Sequence, residues 1–420
     1  MSVSAAQKKS DFPHLWDWEV PRAAYVHIPF CRRRCFYCDF PISVLGDRLW
    51  GESSGSIVQY VDWLCQEIGA TPNSVTLNTG LSSGASLKTI FFGGGTPSLL
   101  SPAQVHRILE ALAGQFRLDD APEVSMEMDP GTFTLSQVQG YLQAGVNRIS
   151  LGSQAFQDDL LQQCGRTHQV KDIYEAVDWV RQAGVQNLSL DLISGLPSQT
   201  LAQWTESLQC AIALEPEHLS AYDLVVEPGT VFGKRYEPGE FPLPTDDLAA
   251  QMYRTASEVL RAAGYAHYEI SNYAKAGYPC AHNQTYWRNG SYYGFGMGAT
   301  SYLQGQRFSR PRSRVDYAQW LTTYLQQEGR VDCPVTSPSD RLFETLMLGL
   351  RCAEGVNLKT LSQQSDRPLL DLFTDVLEPD RIKGWVELTT EGTLRLTDPD
   401  GFLFSNSVLV SLWETLSGLE

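Results

Sequence analysis

Residues 25 to 40 read Tyr-Val-His-Ile-Pro-Phe-Cys-Arg-Arg-Arg-Cys-Phe-Tyr-Cys-Asp-Phe and set Cys31, Cys35 and Cys38 at a C-x3-C-x2-C spacing. A loop this tight lets three thiolates converge on one soft metal centre. Three thiolates on a four-iron cubane leave one iron open, and an open position is where a catalytic metal takes its substrate. A zinc knuckle with His27 or Asp39 as fourth ligand fits the same spacing.

The loop follows an apolar run, 23–28, that reads as a strand, and strands then alternate with helices. Further strands are expected at 88–92, 123–128, 147–151, 188–193 and 218–226. Between them lie helical stripes: Ile57, Tyr60, Val61, Leu64 and Ile68 in 56–69, then Val105, Ile108, Leu109 and Leu112 behind Pro102. Helices at 135–144 and 170–183, and one carrying Leu201, Trp204, Leu208 and Ile212, complete the series. Such alternation implies right-handed crossovers and a parallel sheet, with strands apolar throughout because both faces are covered. The fold class is α/β, a partial (β/α)6 barrel, since a closed barrel needs about eight units.

In such sheets ligands bind where strands end and loops begin. The cysteine loop follows the first strand, and Gly93-Gly94-Gly95-Thr96-Pro97 follows the second. Glu127 and Asp129 close the third, Gln154 the fourth, and Asp191 lies near the end of the fifth. The glycines let backbone approach a ligand, or simply make a tight turn. Glu127 and Asp191 sit in apolar strands, where an unpaired carboxylate is costly. Each must meet a cation or donor, from a ligand or from an internal pair with Arg148 or Arg166.

The 420 residues divide into a leader at 1–21, in which Trp16 and Trp18 would dock on the body, and the barrel at 22–235. A connecting region at 236–333 begins among Pro238, Gly239, Pro242 and Pro244. A C-terminal domain at 334–420 reads as helices with a short hairpin, a mostly helical, winged-helix-like cap. Residues 71–86, rich in Ser, Thr, Asn and Gly, read as a surface insertion. A net charge of -16 argues against nucleic acid as a partner. No apolar run reaches the roughly 18 residues of a membrane span, and the N-terminus has no signal core, so a cytoplasmic location is expected. Nine cysteines, three of them clustered, fit a reducing compartment.

The C-x3-C-x2-C loop after a first strand, followed by Gly-Gly-Gly-Thr-Pro, resembles the radical S-adenosylmethionine (SAM) enzymes. The resemblance implies that Cys31, Cys35 and Cys38 hold a [4Fe–4S] cluster whose fourth iron binds SAM. One electron from the cluster would cleave the sulfonium to a 5′-deoxyadenosyl radical. Tyr25-Val-His-Ile-Pro-Phe-Cys, Asn147-Arg-Ile-Ser-Leu-Gly-Ser-Gln, Gly165-Arg-Thr-His and Leu190-Asp-Leu-Ile-Ser-Gly-Leu-Pro are similar to the anaerobic coproporphyrinogen oxidase superfamily. By that similarity Tyr25, Tyr37, Gly94, Gly95, Thr96, Glu127, Gln154, Arg166, Asp191 and Val225 would line one or two SAM pockets. A flavodoxin or ferredoxin would donate the electron.

That superfamily holds both oxygen-independent coproporphyrinogen III oxidases, which make protoporphyrinogen IX, and HemW-type haem chaperones. The decarboxylases carry a further cysteine where this chain has Phe40, and a longer N-terminal arm. Cys280-Ala-His282-Asn283-Gln-Thr-Tyr286-Trp287 resembles the chaperones' His-Asn-x-x-Tyr-Trp motif. The resemblance implies haem as a third cofactor, delivered to haem-requiring proteins, with any membrane contact peripheral. Haem needs an axial ligand and flat apolar surface. His282 or Cys280 would supply the first, Tyr286 and Trp287 the second. The competing reading has His282 and Asn283 bond a loop against the barrel while the aromatics fill core.

Overall fold

The computed structural model describes residues 20–47, 50–72 and 86–418. The leader with Trp16 and Trp18, and nearly all of the 71–86 insertion, lie outside them. The described residues form two compact units, 20–286 with 290–335, and 287–289 with 336–418.

The larger unit is built on one nine-stranded sheet: β1 (Ala23–Ile28), β2 (Ser86–Gly94), β3 (Arg117–Met128), β4 (Arg148–Gln154), β5 (Leu188–Ser194), β6 (His218–Asp223), β7 (Ala266–Glu269), β8 (Asn272–Ala274) and β9 (Tyr293–Phe295). Their order is β9-β1-β2-β3-β4-β5-β6-β8-β7. From β9 to β6 every pairing is parallel, and β8 and β7 then turn back antiparallel. The six expected strands are thus the centre of a larger sheet. Residues 236–333, expected to connect, contribute β7, β8 and β9. These runs of three or four residues are too short for a two-residue period to stand out.

Helices α1 (Gly55–Ala70), α2 (Pro102–Gln115), α3 (Leu135–Ala144), α4 (Val170–Gln182) and α5 (Leu201–Ala213) alternate with the strands. Their starts follow one local rule. Ser101, Thr134 and Thr200 each accept the backbone N–H three residues on, where Gln104, Gln137 and Gln203 reach back to the cap.

Where uniformly apolar strands were expected, the two faces differ. Val26, Ile90, Phe92, Val124, Met126, Ile149, Leu151, Leu190 and Leu192 are buried within the hydrophobic core. Alternate positions carry Tyr25, Glu127, Ser150, Asp191 and Ser220 on the inner face. The sheet therefore has one apolar face against its helices and one polar face turned to the barrel interior.

A buried ion pair fastens the β9 edge. Glu67 of α1 takes Arg310 Nε at 2.7 Å, the Tyr317 hydroxyl at 2.6 Å and the Gly296 N–H at 2.8 Å, behind β9. The smaller unit packs Pro338–Gly349, Leu358–Ser365, Leu369–Val376 and Ser405–Ser417 with a three-stranded antiparallel sheet of Val356–Asn357, Thr393–Leu396 and Val386–Leu388. Helices with a small hairpin are thus present as expected, and Val356–Asn357 adds a third strand.

Arg310→Met should destabilise the larger unit by about 3–5 kcal/mol, because it leaves the Glu67 carboxylate buried without its cation. Chemical denaturation of wild type and variant would measure it.

Candidate functional site

The cysteine loop is held by backbone. Phe30–Cys31 pairs in parallel with Ser43–Val44, and Leu45 N–H donates to Cys31 O at 2.9 Å. Phe36 N–H donates to Cys164 O at 2.9 Å, while Phe36 O accepts Phe232 N–H at 3.0 Å. The Phe36 ring rests on Gly165, whose φ of +74° and lack of a Cβ both serve the contact. All three thiols are half-buried. Burial pushes the Cys31 thiol up to about 12, so a metal must displace its proton to bind.

The zinc reading finds no fourth ligand. His27 Nε2 is 3.0 Å from Pro41 O and must donate to it, which leaves Nδ1 to accept the Tyr25 hydroxyl at 2.9 Å. Burial lowers this imidazole to about 4. Asp39 is exposed and pairs with Arg312 at 3.5 Å. Among the described residues no three His, Cys, Asp or Glu side chains close on a single ion. A cluster spreads its thiolates over separate irons and so asks for wider spacing.

Next to the loop runs the triple glycine. Gly94 has φ +109°, and any side chain there would strike the His27 ring. A Cβ on Gly95 would come 2.7 Å from the carbonyls of Ile28 and Phe30. Gly94 N–H donates to Glu127 Oε2 at 3.0 Å. Burial raises the Glu127 carboxyl to about 8, with Asp191 and Asp129 adding to the rise and the Gly94 N–H opposing it. Asp191 is raised by burial, against the Ser220, Ser150, Arg148 and Ser189 groups that favour its charge. Ser150 Oγ–H lies 2.9 Å from it.

Arg166 pairs with neither of these acids. Its Nη2 meets Asp129 Oδ1 at 2.5 Å and Gly152 O at 3.1 Å, and its Nη1 donates to Cys35 Sγ at 3.3 Å. Asp129 Oδ2 also takes the Thr96 hydroxyl at 2.9 Å. That hydroxyl has one hydrogen, so the Cys31 sulfur 3.7 Å away receives none from it. Burial would raise Asp129, but Arg166 and Thr96 outweigh it and hold the carboxyl below its ordinary value. Asp129 is the centre of this network, which a reading weighted to Glu127 and Asp191 did not give it. Its position two residues past Glu127, on the same strand face, was the available signal.

Gln154 ends β4 at φ +58°, beside a register shift, and its buried Oε1 has no partner. A strained backbone and an orphaned buried acceptor are what a residue awaiting a ligand would show. Tyr37 packs on Phe232, with centroids 6.4 Å apart. Val225 stands apart from this cluster: it is 64% exposed and lines a crevice of about 340 Å³ with Gly195, Asp223, Leu243 and Pro244. Tyr25, Phe91, Glu127, Gly152 and Asp191 keep part of their surface open in mid-strand, all on the inner face. The barrel thus retains a lumen below the cysteine loop. A glycine-lined mouth, three thiols, an orphaned amide oxygen and a carboxyl raised by burial fit a cluster and a cationic cofactor.

The His-Asn-x-x-Tyr-Trp segment lies at the other end of the strands, on the short helix Ala281–Trp287. Glu123, near the start of the inner-face run of β3, accepts the N–H groups of Ala281 and His282 at 3.1 Å each. His282 is 1% exposed, with Nδ1 2.9 Å from Thr89 Oγ1, Nε2 2.7 Å from the Tyr286 hydroxyl, and its ring stacked on Phe91. Burial, then Arg148, pushes its imidazole down to about 3. Cys280 is buried, its thiol raised to about 11 by burial. The segment closes the barrel floor, and both ring nitrogens of His282 are engaged there.

The fold and the loop define a class. The model of the radical SAM superfamily matches residues 25–211, and that of the HemN C-terminal domain matches 336–403. Heme chaperone HemW of Synechocystis is 45% identical over 418 residues, covering 94% of this chain and 97% of the relative. Heme chaperone HemW of Bacillus subtilis is 36% identical over 391 residues, 92% and 98% of the two chains. The solved structure of coproporphyrinogen III oxidase (HemN) from Escherichia coli, a radical SAM enzyme, matches with TM-score 0.76 at 22% identity over 94% of this chain and 91% of that one. The chain belongs to the radical SAM superfamily and, within it, to the HemW family.

Two outcomes test this geometry. A Glu127 carboxyl raised from 4.5 to about 8 keeps a proton in the folded chain that the unfolded chain has lost. Its contribution to stability therefore falls as pH rises through that window. The metal-free Glu127→Gln variant should show a shallower fall of Tm between those pH values than wild type. His282→Ala should lower Tm by breaking the floor; loss of haem retention at unchanged Tm would instead mark His282 as an axial ligand.

Proposed function

We propose that this chain is a haem chaperone that retains a radical SAM site. Cys31, Cys35 and Cys38 hold the [4Fe–4S] cluster, which when bound supplies an open iron and one electron to a sulfonium. Tyr25, Tyr37, Gly94, Gly95, Thr96, Glu127, Gln154, Arg166 and Asp191 surround SAM, with Val225 at the rim. Arg166 Nη1–H points at Cys35 Sγ from 3.3 Å and sets a cation beside the cysteine loop. Protonated Glu127 ionises when a cationic group arrives beside it, so SAM binding near neutral pH releases a proton.

The observation that carries the haem half is the 45% identity to Heme chaperone HemW across almost the whole chain. Phe40, 56% exposed where the decarboxylases carry a cysteine, points the same way. The likeness to coproporphyrinogen III oxidase, at 22% identity, concerns the fold alone. No helix among the described residues is long and apolar enough to cross a membrane. We infer that the chain works in the cytoplasm, takes an electron from a flavodoxin or ferredoxin, and meets haem-accepting proteins peripherally at the membrane.

The test uses the full chain with its cluster reconstituted without oxygen. Iron protoporphyrin IX should co-elute with it on gel filtration, and coproporphyrinogen III should remain unconverted. Steady formation of protoporphyrinogen IX would overturn the proposal.

A further inference from the structure

The chain carries a net charge of -16, yet its cysteine loop is basic. Arg32, Arg33 and Arg34 fill the interval between Cys31 and Cys35, so a partner seated on them lies beside the thiols. Arg32 Nη1 donates to Gly131 O at 2.8 Å, and Arg34 Nη1 donates to Cys38 O and Phe40 O at 3.1 Å each. Carbonyls orient these guanidinium groups without cancelling their charge. Arg312 reaches the same stretch, donating to Asp39 O at 2.6 Å. Arg235 lies over the Phe36 ring, 5.8 Å from its centroid.

Among the described residues, the acids that pair with these five arginines are Asp47, 3.1 Å from Arg33, and Asp39, 3.5 Å from Arg312. All four of those side chains are at least half exposed. An ion pair so open to water is worth little and exchanges readily with another charged group. Arg32, Arg34 and Arg235 have no carboxylate within 4.0 Å among the described residues. The same stretch exposes apolar surface. Phe40, two residues past Cys38, and Val44, which pairs with Cys31, are each 56% exposed. Exposed apolar side chains bordered by arginine are what the contact face of a protein complex shows.

We propose that the outer face of the cysteine loop, with Arg32, Arg33, Arg34, Arg312, Phe40 and Val44, is the docking surface for an acidic protein that delivers single electrons to the cluster. Charge selects both the partner and the place. A chain at -16 repels an acidic protein over most of its surface and attracts it where the arginines gather. Encounter is thereby steered to the face nearest the thiols. The donor loses one electron and the cluster gains it, with no bond made or broken. This docking rests on the cluster held by Cys31, Cys35 and Cys38, and not on haem delivery.

Stopped-flow reduction of the reconstituted full chain by a fully reduced, acidic flavodoxin tests it. The methyl viologen radical cation serves as a small donor that needs no docking face. Wild type should take electrons from flavodoxin at a second-order rate that falls as salt is raised. Arg32→Glu with Arg33→Glu should lower that rate at low salt by roughly 10- to 100-fold, the scale of electrostatic steering. The methyl viologen rate should stay the same or rise. Phe40→Ser, which leaves the charges in place, should slow flavodoxin and keep the salt dependence, and it decides the matter if the double variant loads no cluster. A flavodoxin rate indifferent to salt and to both substitutions would overturn the proposal. So would an equal loss with methyl viologen, since the substitutions would then act on the cluster itself. Binding to phosphatidylglycerol vesicles that the double variant loses while its flavodoxin rate holds would overturn it too, and make this face a lipid contact. If methyl viologen reduces no cluster in wild type, the cluster reading falls; if it does and flavodoxin ignores these residues, only the docking surface falls.

Discussion

A sheet sealed by helices on its outer face must carry all of its chemistry on its inner face. In this chain the alternation is strict where it matters. Val124, Met126 and Met128 are buried in the core, while Ser125 and Glu127 turn to the lumen. The inner face is then far from bulk water but never apolar, so every polar group on it needs a partner supplied by the protein or by a ligand. Most of the site follows from how that demand is met. Asp129 meets it with Arg166 and Thr96, and Asp191 meets it with serines. Glu127 gets a single N–H and stays protonated. Gln154 Oε1 gets nothing.

The same demand separates the two ends of the barrel. At the mouth the groups are under-satisfied: Gln154 sits at positive φ with its Oε1 unpartnered, and the three thiols are half-buried with one side-chain donor, Arg166, on Cys35. At the floor they are over-determined. His282, His218 and Glu123 each hold two or more partners, and the helix Ala281–Trp287 is pinned by its own first N–H groups. A ligand site profits from the first condition and a structural plug from the second. On this ground His282 belongs first to the architecture, even though its residue type and its aromatic neighbours suit haem.

What the sequence discloses depends on how local the physics is. The six central strands and their helices were legible because period and capping act within a few residues. Ala23–Ile28 and Leu135–Ala144 match their expected bounds to the residue. The cysteine loop and the glycine run were legible for the same reason, since spacing alone restricts what they can hold. Three features were not. Strands of three or four residues, such as Tyr293–Phe295, are made by their neighbours rather than by their own pattern. The division of each strand into a polar and an apolar face was present in the letters, yet an average over the strand conceals it. The pairing of Arg166 with Asp129, rather than with Glu127 or Asp191, is a choice among acids on one face that only three-dimensional register decides.

That choice of partner governs the electrostatics of the whole lumen. Had Arg166 paired with Glu127, the latter would be ionised and the cluster loop would lose the cation beside Cys35. With Arg166 on Asp129, one ion pair is spent on holding the loop and Glu127 is left without a cation, its carboxyl raised by burial. At the far end Arg148 lies in the field of Glu123 and Asp191, which raise it despite its burial. The two ends of the lumen thus differ: a neutral acid lies under the thiols, and a cation with acidic neighbours lies on the floor. The barrel's asymmetry thus follows from which acid one arginine selects.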